Sequence, residues 1–137
     1  MVAASSDLVE RQVRILITDD DEAWRVGLRE ALEPRGYETL EATSGEEAIE
    51  VVHEVRPHLV VLDIELPHLN GIETLRIIRQ EMDIELPAIV ISSAVTDRMM
   101  EEALALHAFT VMEKMAGLHQ ILFAISRALR KYYTIRE

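Results

Sequence analysis

The stretch Leu59-Val60-Val61-Leu62-Asp63 is an apolar run that ends abruptly in a carboxylate. It lies between Pro57 and the turn-forming pair Asn70-Gly71. An uninterrupted apolar run of this length is typical of a strand that is buried on both faces of a parallel sheet. We therefore expect Asp63 at the point where a central strand leaves its sheet.

Three other apolar runs also end in polar side chains, and segments with helical periodicity separate them. The runs are Ile15–Thr18 before Asp19, Asp20 and Asp21; Ala88–Ile91 before Ser92 and Ser93; and Phe109–Met112 before Glu113 and Lys114. A weaker strand is predicted at 37–42, and the fourth of five helices is predicted to run from its cap at Thr96 to about Ala108. This alternation predicts an α/β fold, in which a doubly wound parallel sheet carries helices on both faces.

Ligands of such sheets bind beyond the carboxyl ends of the strands, so the polar residues after the strands should meet at one edge. There Asp19, Asp20 and Asp63 would repel one another, and a hard divalent cation such as Mg²⁺ would relieve the repulsion. A carboxylate at such a site can attack phosphorus, with Lys114 as a point charge and Ser92 as a hydroxyl donor. Each residue alone would be an ordinary turn or surface residue, so the prediction rests on their joint occurrence.

Composition sets the broad class of the protein. The chain has 137 residues, 49% of them apolar, which is enough for one folded domain with a substantial core. Its net charge of −11 argues against direct binding to nucleic acid or to an anionic membrane surface. There is no cysteine, no apolar run approaches the ~20 residues of a membrane span, and no signal peptide is recognisable, so a cytoplasmic location is expected.

Together these motifs resemble the receiver domain of bacterial response regulators over about Arg14 to Tyr132. The resemblance implies a flavodoxin-like (βα)5 sheet of strand order 2-1-3-4-5. We expect the receiver domain at 13–133, after a flexible leader at 1–12 that is small, polar and mixed in charge, and before a tail at 134–137. The resemblance also implies that Asp63 accepts a phosphoryl group and that the domain catalyses its own phosphorylation and dephosphorylation without being an ordinary enzyme. The implied Mg²⁺ ligands are Asp20, Asp63 and the backbone carbonyl of Glu65, with Asp19 acting mainly through water, and Ser92 and Lys114 would bind the phosphoryl oxygens.

The implied partners are a sensor histidine kinase or histidine phosphotransfer protein, and then a downstream protein target or a covalently linked output domain. A weak homodimer is a further expectation.

The sequence departs from the family pattern at three positions. Met115 replaces the usual proline after Lys114, so we predict a trans peptide bond there. Val111 replaces the usual switch aromatic, and Glu65 stands where the side chain tunes phosphoryl lifetime, which we expect it to prolong by crowding the hydrolytic water.

Two other functions compete with this interpretation. A pseudo-receiver that binds partners without phosphorylation would explain the loss of the aromatic and of the proline, although the acids and Lys114 argue against it. A haloacid-dehalogenase-like phosphatase also uses aspartate after a strand, but it needs a late acidic pair, and only Glu137 follows Lys114 among the acids.

Overall fold

A computed structural model describes residues 7–9, 13–82 and 85–136 of the chain. Its main sheet has five parallel strands, β1 Arg14–Thr18, β2 Glu38–Ala42, β3 Leu59–Asp63, β4 Ala88–Ser92 and β5 Thr110–Glu113. The helices are α1 Glu22–Leu32, α2 Gly45–Val55, α3 Gly71–Met82, α4 Asp97–Ala105 and α5 Leu118–Tyr132. The strand order is β2-β1-β3-β4-β5, which confirms the predicted flavodoxin-like doubly wound fold.

The sheet is covered on both faces, which explains the uninterrupted apolar strands. Side chains of one face, including Leu16, Val60 and Val90, pack with buried residues of α2, α3 and α4. The alternate side chains, including Ile17 and Val61, pack with α1 and α5. Every residue of β3 and of β4 is buried, so the central strands have no solvent-facing side. Each large aliphatic side chain buried in this way contributes about 1.5–3 kcal/mol.

Local capping fixes where the helices start. The Ser44 hydroxyl accepts the Glu47 N–H at 3.1 Å, and the Glu47 carboxylate accepts the Thr43 N–H at 2.6 Å, which resembles a capping box but holds the residue before the cap of α2. Asn70 and Glu73 form a second reciprocal pair at the start of α3, with both hydrogen bonds at 2.9 Å. The strand-to-helix loops on this side of the sheet are therefore held by their own side chains.

Helix α4 ends three residues earlier than the sequence predicts, at Ala105 instead of Ala108. His107 has a positive φ of 62°, a left-handed conformation that stops the helix. Arg79 of α3 donates hydrogen bonds to the carbonyl oxygens of Leu106 and His107, at 2.8 and 3.3 Å. The apolar periodicity continues past this point, but the tertiary contact with α3 favours termination.

A short second sheet joins the two ends of the described chain. Asp7–Val9 pairs in parallel with Thr134–Arg136, and neither strand was predicted. The rest of the predicted leader at 1–12 and the last residue of the predicted tail lie outside the described residues. The predicted domain boundaries stay a prediction. Within the described ranges, no helix is both long enough and apolar enough to cross a membrane.

Gly71 allows the start of α3 to lie directly against the end of β3. Its N–H donates to the Ile64 carbonyl oxygen at 3.1 Å. A Cβ atom at this position would lie 2.2 Å from the Asp63 carbonyl oxygen, which is far inside van der Waals contact. The turn-forming pair Asn70-Gly71 therefore needs glycine because of backbone proximity, and this contact sets the position of the loop after Asp63.

We predict that Gly71→Ala lowers the free energy of unfolding by about 2–3 kcal/mol, because the added methyl forces the backbone at Asp63 to move. Gly27→Ala in α1 is the matched control, since no atom lies within 4 Å of a Cβ there. That variant should be neutral or more stable by up to about 1 kcal/mol, because alanine favours helix. Urea denaturation of both variants measures the difference, and equal stability would contradict the role assigned to Gly71.

Candidate functional site

The predicted acids meet at the carboxyl edge of the sheet. Carboxylate oxygens of Asp19, Asp20 and Asp63 all lie within 4.8 Å of one another. Asp63 is the last residue of β3, and Asp19 directly follows β1, its neighbour in the sheet. Asp19 and Asp63 are buried, with 0% and 1% of their surfaces exposed, whereas Asp20 is exposed. Asp20 therefore lies on the solvent side of the cluster.

Lys114 follows β5 and reaches across β4 to this cluster. Its ammonium lies 2.8 Å from Asp19 Oδ2 and 3.2 Å from Asp63 Oδ2. Burial alone would lower the pKa of Lys114, but the hydrogen bond to Asp19 and the charge of Asp63 raise it above its ordinary value. Lys114 is therefore a fixed positive charge against two buried carboxylates.

Ionisation of the buried acids is unfavourable without a further cation. The pKa of Asp63 is raised to about 6, chiefly by burial and secondly by the charge of Asp19, while Lys114 opposes the shift. The sequence predicted repulsion as the reason why a carboxylate would resist ionising, and the structure shows that desolvation is the larger cause. A bound divalent cation would remove both effects.

The loop that carries Asp19 is held from two sides. The Asp19 backbone N–H donates to the Ala42 carbonyl oxygen at 3.1 Å, and Asp19 Oδ1 accepts the Asp21 N–H at 2.8 Å. Arg25 of α1 donates to the Asp19 carbonyl oxygen at 2.9 Å and forms an ion pair with Glu41 of β2 at 2.8 Å. The acidic loop is therefore anchored to both α1 and β2.

Two residues near the site were missed by the sequence analysis. The Trp24 ring lies 5.4 Å from the Lys114 ammonium, and Arg25 holds the Asp19 backbone as described above. The available signal was their place in the first turn of α1, four residues after Asp20 and Asp21. At this spacing, side chains lie over the preceding turn, which here is the acidic loop.

Among the described residues, no hydrogen bond joins the Ser92 side chain to Asp19, Asp20 or Asp63. Its hydroxyl donates to the Glu65 carboxylate and accepts the Ala94 N–H at 3.2 Å. Glu65 Oε1 also accepts the Ser93 N–H at 2.8 Å and the Ser93 hydroxyl at 3.1 Å. Burial alone would raise the pKa of Glu65, but the bonds from Ser92 and Ser93 lower it below its usual value. Glu65 thus places an ionised carboxylate on the donors at the end of β4.

The departures at the end of β5 have clear structural outcomes. The peptide bond between Lys114 and Met115 is trans, as predicted. A single 3₁₀ turn at Lys114–Ala116 follows, and the Met115 side chain is 87% exposed. Val111 is buried on the sheet face that packs with α3 and α4, so it fills core space where the resemblance would place an aromatic ring.

Residues 15–126 match the model of the response regulator receiver domain. The chain belongs to this family. Response regulator RR06 of Streptococcus pneumoniae is 32% identical over 125 residues, which are 91% of this chain and 57% of that protein. Response regulator MprA of Mycobacterium leprae is 36% identical over 121 residues, which are 87% of this chain and 52% of that protein. The chain thus spans about half the length of these curated relatives.

Solved structures agree with the family assignment. A CheY-like response regulator receiver domain protein from Methanospirillum hungatei superposes with a TM-score of 0.80 at 25% identity, covering 88% of this chain and 95% of that one. The chain is therefore a response regulator receiver domain, a type of phosphoryl-accepting signalling switch. Receiver domains typically use Mg²⁺, and response regulators interact with histidine kinases and output domains.

We predict that Asp63→Asn raises the free energy of unfolding of the metal-free protein at neutral pH by about 1–2 kcal/mol. Between about pH 4 and pH 6 the folded protein holds a proton on Asp63 that the unfolded chain has released. The contribution of Asp63 to stability therefore falls as the pH rises through this window, and the advantage of the asparagine variant grows.

Urea denaturation in EDTA across this pH range measures that advantage. Asp97→Asn, at an exposed position in the first turn of α4, is the control and should show no comparable rise. A stability difference between Asp63→Asn and the wild type that does not change with pH would contradict the raised pKa.

Proposed function

We propose that this receiver domain accepts a phosphoryl group on the carboxylate of Asp63. The observation that carries this proposal is the position of Asp63 at the end of the central strand, where it is buried beside Asp19 and 3.2 Å from the Lys114 ammonium. A carboxylate held in this way combines a nucleophilic oxygen with a fixed positive charge for the incoming group.

The donor set fits Mg²⁺. It consists of oxygen ligands, and oxygens of Asp19, Asp20 and Asp63 lie within 4.8 Å of one another. We assign Asp20, Asp63 and the backbone carbonyl of Glu65 as direct ligands, and Asp19 as a ligand mainly through water. When bound, the ion supplies charge neutralisation for the phosphoryl oxygens. Lys114 alone cannot balance three carboxylates.

The transfer itself needs positioning more than proton chemistry. An Asp63 oxygen attacks the phosphorus of a phosphohistidine, a phosphorus–oxygen bond forms, and the phosphorus–nitrogen bond breaks as the imidazole leaves and takes up a proton. Lys114 and the Ser92 hydroxyl bind the transferred oxygens. Hydrolysis of the acyl phosphate by water restores Asp63 and releases phosphate, so the domain catalyses only its own modification.

The proposed donor is a sensor histidine kinase or a histidine phosphotransfer protein. The proposed receiver of the signal is a downstream protein target or a covalently linked output domain. The net charge of −11 suits protein partners better than direct contact with nucleic acid or an anionic membrane. The cytoplasmic location and the weak homodimer remain predictions from the sequence.

One observation favours a second function, that of a pseudo-receiver that binds partners without phosphorylation. The donors at Ser92 and Ser93 already hold a carboxylate, and Val111 offers no aromatic ring that could change rotamer. The intact cluster of Asp19, Asp20 and Asp63 with Lys114 favours the phosphoryl-accepting function, because a binding surface alone does not require buried carboxylates.

We predict that acetyl phosphate with Mg²⁺ adds one phosphoryl group to the wild-type protein and none to Asp63→Asn. Intact-protein mass spectrometry measures the adduct. Asp97→Asn serves as the control and should be modified like the wild type, because Asp97 is an exposed residue of α4. Absence of an adduct on the wild type, with Mg²⁺ bound, would favour the pseudo-receiver.

We also predict that Mg²⁺ raises the thermal unfolding midpoint by about 5 °C at ten times its dissociation constant, because it binds only the folded cluster well. Asp20→Asn should abolish most of the shift at little cost in stability, since Asp20 is exposed. Sodium chloride at equal ionic strength controls for screening of the acidic chain. An equal shift in sodium chloride would exclude a specific site.

A further inference from the structure

The corner at the end of β4 is occupied by a side chain of the same protein. One oxygen of Glu65 accepts the Ser93 N–H at 2.8 Å and the Ser93 hydroxyl at 3.1 Å, and the other accepts the Ser92 hydroxyl. Ser92 is fully buried, so its hydroxyl has no access to bulk water as an alternative partner. These three donors therefore form a small anion-binding corner, and a carboxylate fills it.

The same corner is needed by the proposed reaction. Glu65 lies two residues after Asp63, and its N–H donates to Asp63 Oδ1 at 3.1 Å, so the corner adjoins the acceptor. A phosphoryl group on Asp63 would present further anionic oxygens toward Ser92. The Ser92 hydroxyl and the Ser93 N–H carry one hydrogen each, and an anion already bonded to both leaves no donor for a second one.

We infer that the Glu65 carboxylate is an internal competitor of the phosphoryl group, which holds Ser92 and Ser93 in the unphosphorylated domain and must leave before they bind phosphoryl oxygens. This inference rests on the proposed function and assigns Glu65 a positioning role in the same site. The competitor matches the ligand in kind, since carboxylate and phosphoryl oxygens are both anionic acceptors that form charge-assisted hydrogen bonds. The Glu65 carboxylate then slows phosphorylation of Asp63, and its release from Ser92 and Ser93 signals that the phosphoryl group has bound.

The exit of the Glu65 side chain requires little rearrangement. Glu65 is a solvent-exposed residue, so rotation about its side-chain bonds brings the carboxylate into water. Its backbone can stay in place, because the N–H remains on Asp63 Oδ1 and Leu66 donates to the Ile64 carbonyl oxygen at 2.9 Å. Release breaks the side-chain bridge from Glu65 at the end of β3 to Ser92 and Ser93 at the end of β4, and so changes the hydrogen-bond partners of this turn.

This arrangement gives the domain a way to signal without a switch aromatic. Val111 has no rotamer change that could transmit occupancy of the site. The turn after β4 leads directly into α4 through the cap at Thr96, whose hydroxyl accepts the Met99 N–H at 3.1 Å. A change in the partner of Ser92 and Ser93 is therefore passed to the start of α4 along four residues of chain.

The test compares Glu65→Ala and Glu65→Gln with the wild type and with Glu113→Ala. Glu113 is the matched control, because it lies beside Lys114 and its carboxylate accepts the Val95 N–H of the same turn at 3.4 Å, yet it bonds to neither Ser92 nor Ser93. At saturating Mg²⁺, the rate of adduct formation with acetyl phosphate should rise about tenfold in Glu65→Ala. Glu65→Gln should lie between, because a neutral amide competes less well than a carboxylate.

A second measurement does not depend on phosphorylation. Inorganic phosphate is titrated into each protein with Mg²⁺, and the amide resonance of Ser93 is followed by NMR. In Glu65→Ala this resonance should start at a different chemical shift and respond to about tenfold less phosphate than in the wild type. Glu113→Ala should behave like the wild type in both respects.

The outcomes separate the two proposals. If no protein forms an adduct, the proposed function fails, and the Ser93 titration alone decides the competition. If adducts form but Glu65→Ala matches the wild type in rate and in the Ser93 titration, the competition is overturned and the proposed function stands. Equal acceleration in Glu113→Ala and Glu65→Ala would also overturn it, because the effect would then be general electrostatics.

Discussion

Two buried carboxylates face one ammonium at the carboxyl edge of this sheet, and the architecture of the domain positions all three. Burial of Asp19 beside Asp63 is costly, because charged groups lose hydration and repel each other. Lys114 offsets part of that cost from the end of β5. The parallel order brings the strand ends together, and hydrogen bonds anchor the loops that carry the acids. A protein selected only for stability would place apolar residues here.

The backbone constraints around the cluster serve the same purpose. Gly71 lets α3 approach the end of β3, and Arg25 holds the Asp19 carbonyl against α1. Burial of the apolar layers on both faces of the sheet offsets the free-energy cost of the buried charges at its edge. The reactive polar residues are therefore concentrated where the strands end, and the core beneath them consists of packed apolar side chains.

The corner at Ser92 shows how one side chain can adapt a common fold. Glu65 directs its carboxylate into the donors after β4, so it ties two strand ends together. Val111 fills core volume where an aromatic ring would otherwise be expected. Together, these two residues support the inference that the turn after β4, and not the rotamer of an aromatic side chain, responds to phosphorylation. The expectation that Glu65 prolongs the phosphorylated state by crowding water remains a prediction.

The sequence by itself determined the succession of strands and helices along the chain, the burial of β3 on both faces and the meeting of Asp19, Asp63 and Lys114. These follow from local apolar runs and from the rule that parallel strands share one carboxyl edge. Only the tertiary structure decided that α4 ends under Arg79, that the two chain ends pair as strands, and that Glu65 turns toward Ser92. Such features depend on side-chain rotamers and on contacts between residues far apart in the chain, which leave no periodic pattern in the sequence.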